Sequence, residues 1–368
     1  MSALAKVRER LPKRSTMIGP IGIDFALEAV HLVQLEASET GIPSVRARAS
    51  VPLDCSRREL LDDPKRLRST LRSALAGGGF SGRKAVVAVP SGSFKTFSIN
   101  YHASSDQSDA AAVLRVMQDR LNGPLSDYVI DYLPVNTRSK NNERLALVAV
   151  AERKLVVYVL EALRKAGLKV EALEIGPVAI SRLVGIMPTE QENRNVLVIN
   201  SGREASYLTL ISGSDLLFDQ QIEFGETTLI NQLAETLDLP REMARGLMER
   251  SGVDSDTAPD EDAGLIRTVG EILKPPFLRL VEEIRRVCMY AAAETRGGAV
   301  GQVYLLGSIA RWPGAARMLA SMADVSVANV PDPLHGISGR DEKVTKVAQS
   351  PEIAVATGLA LRGMESHG

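Results

Sequence analysis

At 368 residues the chain is too long for one ordinary core and suits two or three domains. Its 45% hydrophobic and 24% charged composition, with no apolar run near the roughly 18 residues of a spanning helix, excludes an integral membrane protein. A net charge of -1 offers no global field to polyanions, which excludes non-specific nucleic-acid binding.

Cys55 and Cys288 stand far apart, so a reducing cytoplasm is expected and a disulfide framework is not. His31, His102, His335 and His367 have no Cys or His at ligand spacing, which speaks against a structural metal. The N-terminal stretch MSALAKVRERLPKR concentrates Lys6, Arg8, Arg10, Lys13 and Arg14 around one Glu. Residues 1–16 read as a basic tail. It is either frayed or, over residues 1–14, a short amphipathic helix on an anionic membrane surface.

From Met17 three β segments follow, MIGPIGID, VHLVQLEA and VRARASVPL, then a helix from Arg66 to Leu75 and the strand KAVVAVP. A different pattern occupies about 96–173: a strand FSINYH, a capped helix, the strands YVIDYLPV and RLALVAVAE, and the helix KLVVYVLEALRKAGL. It reads as a small α+β domain inserted in a first lobe that spans 17–95 and resumes at 174–193.

From Asn195 the opening order returns as NVLVINSG, ASYLTLIS and DLLFDQQIEFG, followed by a helix with Leu229, Leu233 and Leu237 on one face. The chain thus repeats one supersecondary unit, and residues 194–368 form a second lobe with a helical part at about 226–298. An acidic loop at 254–264 separates helices, and a long amphipathic helix is expected to start at Pro276. VYLLGS is a buried strand, 334–352 a hydrophilic loop, and PEIAVATGLALRGM a small-residue helix suited to close packing on a sheet.

The phrases VVAVPSGSF, SDYVIDY, LRKAGLKVEALEIGPVAISRLV, EEIRRVCMY, ARWPG and PEIAVATGLALR, in this order and with the inserted domain, resemble the PilM family of type IV pilus assembly proteins. These are actin-like and related to the cell-division protein FtsA. The likeness runs from about Met17 to Gly363. It implies an α/β, actin-like (ribonuclease H-like) fold of two lobes with a nucleotide cleft between them. It also implies a cytoplasmic scaffold, held at the inner membrane through partners, that docks the N-terminal segment of a PilN-like membrane protein and meets other pilus assembly proteins. The peptide groove is expected between the inserted domain and the first lobe.

In such a fold the first strand pair ends in Asp-x-Gly-Ser and continues to a Lys, which hold Mg²⁺ and phosphate. Here Asp24 is followed by Phe25, Ala26 and Leu27, and His31 stands at the Lys position. Asp24 is the remaining Mg²⁺ candidate. The second loop offers Asn200-Ser201-Gly202 where another Asp-x-Gly is expected, with Arg203 either on a phosphate or on an exposed turn. Gly225 and Glu226 suit a ligand approach or simply a helix entry. Glu283 and Arg286 match nucleoside-contacting positions of relatives and equally suit a solvated helix face. LLGSIARWPG keeps Gly307 but has Ser308 at the second glycine, and Trp312 stacks on a base or partner or packs the turn. Losing the Ser and Lys contacts costs on the order of 3–6 kcal/mol, which takes a micromolar ATP site to roughly millimolar. A non-catalytic scaffold with a degenerate ATP site is therefore expected, and an ATP-binding switch is the alternative.

Overall fold

The computed structural model describes residues 17–37, 42–102, 108–135, 143–187, 195–253, 263–295, 297–330, 332–334, 337 and 351–365. The basic tail, most of the acidic loop at 254–264 and most of the late hydrophilic loop lie outside them.

The chain opens with a meander of β1 (Met17–Phe25), β2 (Ala29–Ala37) and β3 (Pro43–Pro52). Two helices follow, α1 (Arg57–Asp62) and α2 (Pro64–Gly77). Ser56 and Glu59 form a capping box at α1, and the Asp63 carboxylate accepts from the Lys65 and Arg66 backbone N–H groups at α2. The strand β4 (Lys84–Ala88) then enters beside β1 in parallel.

β5 (Phe94–His102), α3 (Asp109–Gln118), β6 (Tyr128–Val135) and β7 (Glu143–Glu152) build a separate three-stranded sheet, ordered β5-β7-β6, with its own small core around Ile99, Met117 and Val148. The chain returns through α4 (Arg153–Lys165), β8 (Lys169–Glu174) and α5 (Gly176–Gly185).

The second lobe comprises β9 (Asn195–Ser201), β10 (Ser206–Ser212), β11 (Asp215–Ile222), α6 (Glu226–Leu237), α7 (Arg241–Ser251) and α8 (Ala263–Glu294). It continues with β12 (Val300–Gly307), α9 (Ala315–Ala323), β13 (Val327–Asn329) and the final helix α10 (Ala354–Glu365).

The repeat read from the sequence is explicit in the sheets. One is ordered β3-β2-β1-β4-β8 and the other β11-β10-β9-β12-β13, each an antiparallel meander extended by parallel strands. On β1 the residues Ile21, Ile23 and Phe25 face a core closed by Leu67 and Leu71 of α2 and by Val159 and Leu163 of α4. Each such leucine, fully buried, contributes about 1.5–3 kcal/mol.

Three boundaries differ from the sequence reading. The inserted unit ends at β7, near Glu152, because α4 buries its stripe against the first-lobe core and β8 pairs with β4. The long helix begins at Ala263 and carries Pro275 and Pro276 in its interior. Each proline forfeits a backbone bond, but Ile266, Val269 and Leu273 continue the stripe of Phe277, Val281 and Ile284, and their burial holds the helix through the break.

The final helix, expected in the second lobe, instead packs on β1 and α5 of the first. Its small residues make that possible: a Cβ on Gly22 would stand 2.1 Å from the Ala356 carbonyl, and one on Gly358 1.9 Å from that of Ala179. Through α10 and α5 one core joins Val33 and Val86 of the first sheet to Val196 and Leu306 of the second. No described helix is long and apolar enough to cross a membrane.

Candidate functional site

Two places collect chemistry, the cleft where β1–β2 faces β9–β10 and a groove beside the three-stranded sheet. The cleft is built from the turns at Ala26–Glu28 and Gly202–Ala205. In the first, Asp24 pairs across the ladder with His31. Asp24 retains a partial opening to solvent, yet protein atoms crowd it, and this desolvation raises its pKa to about 6 against the opposing pull of Arg57. Arg57 is held over that strand end: its guanidinium donates to the Phe25 carbonyl (3.1 Å), to Ser91 Oγ (3.0 Å) and to the Ser91 carbonyl (2.5 Å). The cation beside Asp24 is thus one of the protein's own.

His31 is buried, with Nδ1 2.9 Å from Ser50 Oγ, and burial lowers its pKa to about 4. A neutral imidazole facing Ser50 does not replace a phosphate-binding ammonium. From the other lobe, the Tyr207 hydroxyl donates to Gln221 Oε1 (2.9 Å) and stands close to Ser91, Arg57 and Asp24. Behind it Asp219, buried and accepting from Thr209 Oγ1 at 2.8 Å, is pushed up to about 7 by desolvation.

The second turn is folded on itself. Gly202 N–H donates to the Ala205 carbonyl, while Glu226 and Thr227 N–H at the start of α6 donate to the carbonyls of Gly202 (3.0 Å) and Arg203 (2.8 Å). Backbone donors that would face a phosphate are spent on the loop. Gly225 is required because a Cβ there would lie 2.3 Å from the Arg203 carbonyl. Gly307, at φ 81°, would bring its Cβ within 2.0 Å of the Ser201 carbonyl. Ser308 Oγ lies 3.1 Å from the Gly202 carbonyl and 3.3 Å from that of Ser201, so the hydroxyl at the second-glycine position ties the two loops together.

Arg203 leaves the loop to meet Glu28 of the first lobe, with Nε 2.7 Å from the carboxylate though not aligned as a hydrogen bond. Glu226 is fully buried, 3.2 Å from Arg245 and 3.8 Å from Arg311, and burial raises its pKa against both cations. Arg311 also pairs with Glu352 at 3.0 Å. Asn200 lies on β9 opposite Tyr207. Glu283 and Arg286 pair with each other at 2.6 Å on α8. Trp312 is buried in the second-lobe core and packs the turn. Among the described residues no three His, Cys, Asp or Glu side chains gather as a metal site.

The sequence reading missed Glu28, Arg57, Ser91, Tyr207 and Arg311. Only the Ser56–Glu59 capping pattern was available to place Arg57 at the start of a helix.

The groove has the opposite character. It is a cavity of about 510 Å³ between the edge strand β6 (Val129, Tyr132, Leu133), α4 at Val156, and the edge strand β8 with α5 (Leu173, Val178). Its polar lining includes Asp131, exposed on β6, and Glu174, buried and gripped by Arg182 (2.7 Å) and Arg362 (2.5 Å). Leu133 on its wall is 38% exposed.

With this geometry in view, the family model described as type IV pilus assembly protein PilM matches residues 22–364. Among solved structures the chain is similar to the one described as a PilM-PilN type IV pilus biogenesis complex, with a TM-score of 0.73 at 22% identity over 94% of this chain and 98% of that one. It is also similar to the ethanolamine utilization protein EutJ from Carboxydothermus hydrogenoformans, with a TM-score of 0.53 at 14% identity over 94% and 89% of the two chains. No curated protein matches the sequence.

Proposed function

The chain belongs to the family of type IV pilus assembly protein PilM and has an actin-like fold, and from that premise we propose that it works as a docking scaffold. Its ligand is the N-terminal cytoplasmic segment of an inner-membrane PilN-like protein, and its place is the cytoplasmic face of that membrane, reached through partners. The observation that carries this reading is the groove between the inserted sheet and the first lobe. It exposes apolar side chains between two sheet edges that pair with no further strand among the described residues, and an extended peptide is the chemistry that satisfies such edges.

The nucleotide cleft is degenerate in this reading. Asp24 faces Arg57 in place of a divalent cation, Asn200 brings no charge, and the amides of α6 and the Arg203 side chain are engaged within the protein. These residues do not fit a tight Mg²⁺-nucleotide site, and no chemical step is assigned to one.

Fluorescence anisotropy with the labelled N-terminal peptide of the PilN-like partner tests the docking. Saturable binding that the groove variant Leu133→Asp weakens by about tens- to a hundredfold is expected, and no binding by the folded protein would refute it. A thermal-shift titration with Mg²⁺-ATP tests the cleft separately. A flat response into the millimolar range is expected, and a rise following RT ln(1 + [L]/Kd) would favour a nucleotide switch.

A further inference from the structure

Away from both places, a recess of about 290 Å³ opens between α2 and the end of α4. Three arginines line it, Arg68 and Arg72 from α2 and Arg83 from the turn before β4, over a floor that includes Leu71 and Leu168. All three are exposed, and among the described residues none has an ion-pair or side-chain hydrogen-bond partner. The chain as a whole balances 44 Lys and Arg against 45 Asp and Glu, so a recess lined by three guanidiniums and no carboxylate departs from its average surface. The helix α2 carries Lys65, Arg66, Arg68 and Arg72 and no acidic residue. Arg164 adds charge in the last turn of α4, where Lys165 and Glu161 offset each other at 4.0 Å, and Glu171 pairs with Lys84 at 2.8 Å.

The setting is rigid. Gly167, at φ 93°, closes α4 with Leu168 N–H donating to the Leu163 carbonyl and Gly167 N–H to that of Arg164, so these carbonyls do not turn toward an anion. The Lys169 N–H donates to the Arg83 carbonyl at 2.8 Å and anchors the third arginine's backbone to β8. Like charges held around one recess repel unless an anion enters, and planar guanidiniums match the oxygens of a phosphate in paired bonds. The volume is at the lower limit of about 300–1,000 Å³ for small-molecule sites, and the floor is apolar, which suits a phosphate monoester or diester on a short carbon stem.

We propose that the recess of Arg68, Arg72 and Arg83 is a binding site for a phosphate ester, as a free metabolite or as a phospholipid headgroup. Calorimetric titration of the full chain with inorganic phosphate and with glycerol phosphate, at constant ionic strength, supplies one arm. Sedimentation with phosphatidylcholine vesicles, with and without about a third phosphatidylglycerol, supplies the other.

The test variant is Arg72→Ala with Arg83→Ala, and because both side chains are exposed its melting curve stays that of the parent. Binding should weaken by about tenfold for each guanidinium removed and recover in part in Arg72→Lys with Arg83→Lys. Loss confined to the soluble anions identifies a free phosphate ester, and loss of vesicle sedimentation identifies the headgroup. Binding that ignores the variant, as a phosphate in the cleft or vesicle contact through the basic tail would, overturns the site. So does absence of binding in both arms.

Discussion

The cleft and the groove are both made of strand ends and helix starts, yet they dispose of their polar groups in opposite ways. In the cleft the charged groups face opposite charges within the chain, although Glu226 Oε1 and Arg203 Nε are buried without an aligned hydrogen bond. Arg57 lies beside Asp24, Arg203 meets Glu28, Ser308 bridges two loops, and the amides of α6 close on the second turn. In the groove Glu174 is held by Arg182 and Arg362, Asp131 is exposed, and what remains open is apolar surface between two sheet edges that pair with no further strand among the described residues. A duplicated fold carries a ligand cleft at its centre by construction. The difference teaches that the polar groups where the two copies meet are drawn toward one another, while the inserted domain leaves apolar surface uncovered.

That contrast breaks most visibly at a glycine. Gly307→Val places a branched side chain against the Ser201 carbonyl at a positive φ, and it should destabilise the ligand-free protein by about 3–5 kcal/mol in urea unfolding. An unchanged midpoint would mean that the glycine serves a ligand and not the fold. Next in size, Leu133→Asp should cost the partner peptide about 2–3 kcal/mol, tens- to a hundredfold in Kd, with little change in melting. Equal loss of affinity in Arg57→Ala would place the peptide at the cleft instead.

Protonation sharpens the same contrast. Asp24 has its pKa raised from 3.8 to about 6, so the folded state holds the proton more tightly than the unfolded chain. Its contribution to stability is therefore present at low pH and is lost as pH rises through that window, on the order of 3 kcal/mol. His31, lowered from 6.5 to about 4, acts in the opposite sense, and stability falls as pH drops from 6.5 toward 4. Comparing the parent with Asp24→Asn cancels the histidine, and the variant should gain on the parent between pH 4 and pH 7 in denaturant titrations. The smallest effect belongs to the half-buried pair at the cleft rim: Arg203→Ala or Glu28→Ala should shift stability by about 1 kcal/mol or less. A double-mutant cycle that finds a larger coupling would make the inter-lobe contact a genuine latch.

Much of this was legible in the sequence. Apolar strands running into Asp24 and again into Asn200–Gly202, each followed by two further strands, announced the repeat, and the stripe of Leu229 and Leu233 announced α6. Ala26, Leu27 and His31 stand where the family resemblance leads one to expect Gly, Ser and Lys, and from them the sequence reading expects an altered phosphate loop. The six-residue α1 was missed because it is too short to show a helical period, although its cap was written plainly. The start of α8 was misplaced because prolines are read as helix openings, and only the burial on either side carries the helix across them. The insertion was drawn too long because α4 is equally amphipathic whether it covers the inserted sheet or the first lobe.

By itself, then, the sequence determined the elements, their duplication and the family, since periodicity, capping and ordered phrases are local and survive without contacts. The tertiary structure alone decided which charges neutralise which. Arg203 and Glu28, or Arg57 and Asp24, come from segments distant in the chain. Coulomb interaction and desolvation depend on distance and enclosure in space, which spacing along a chain does not encode.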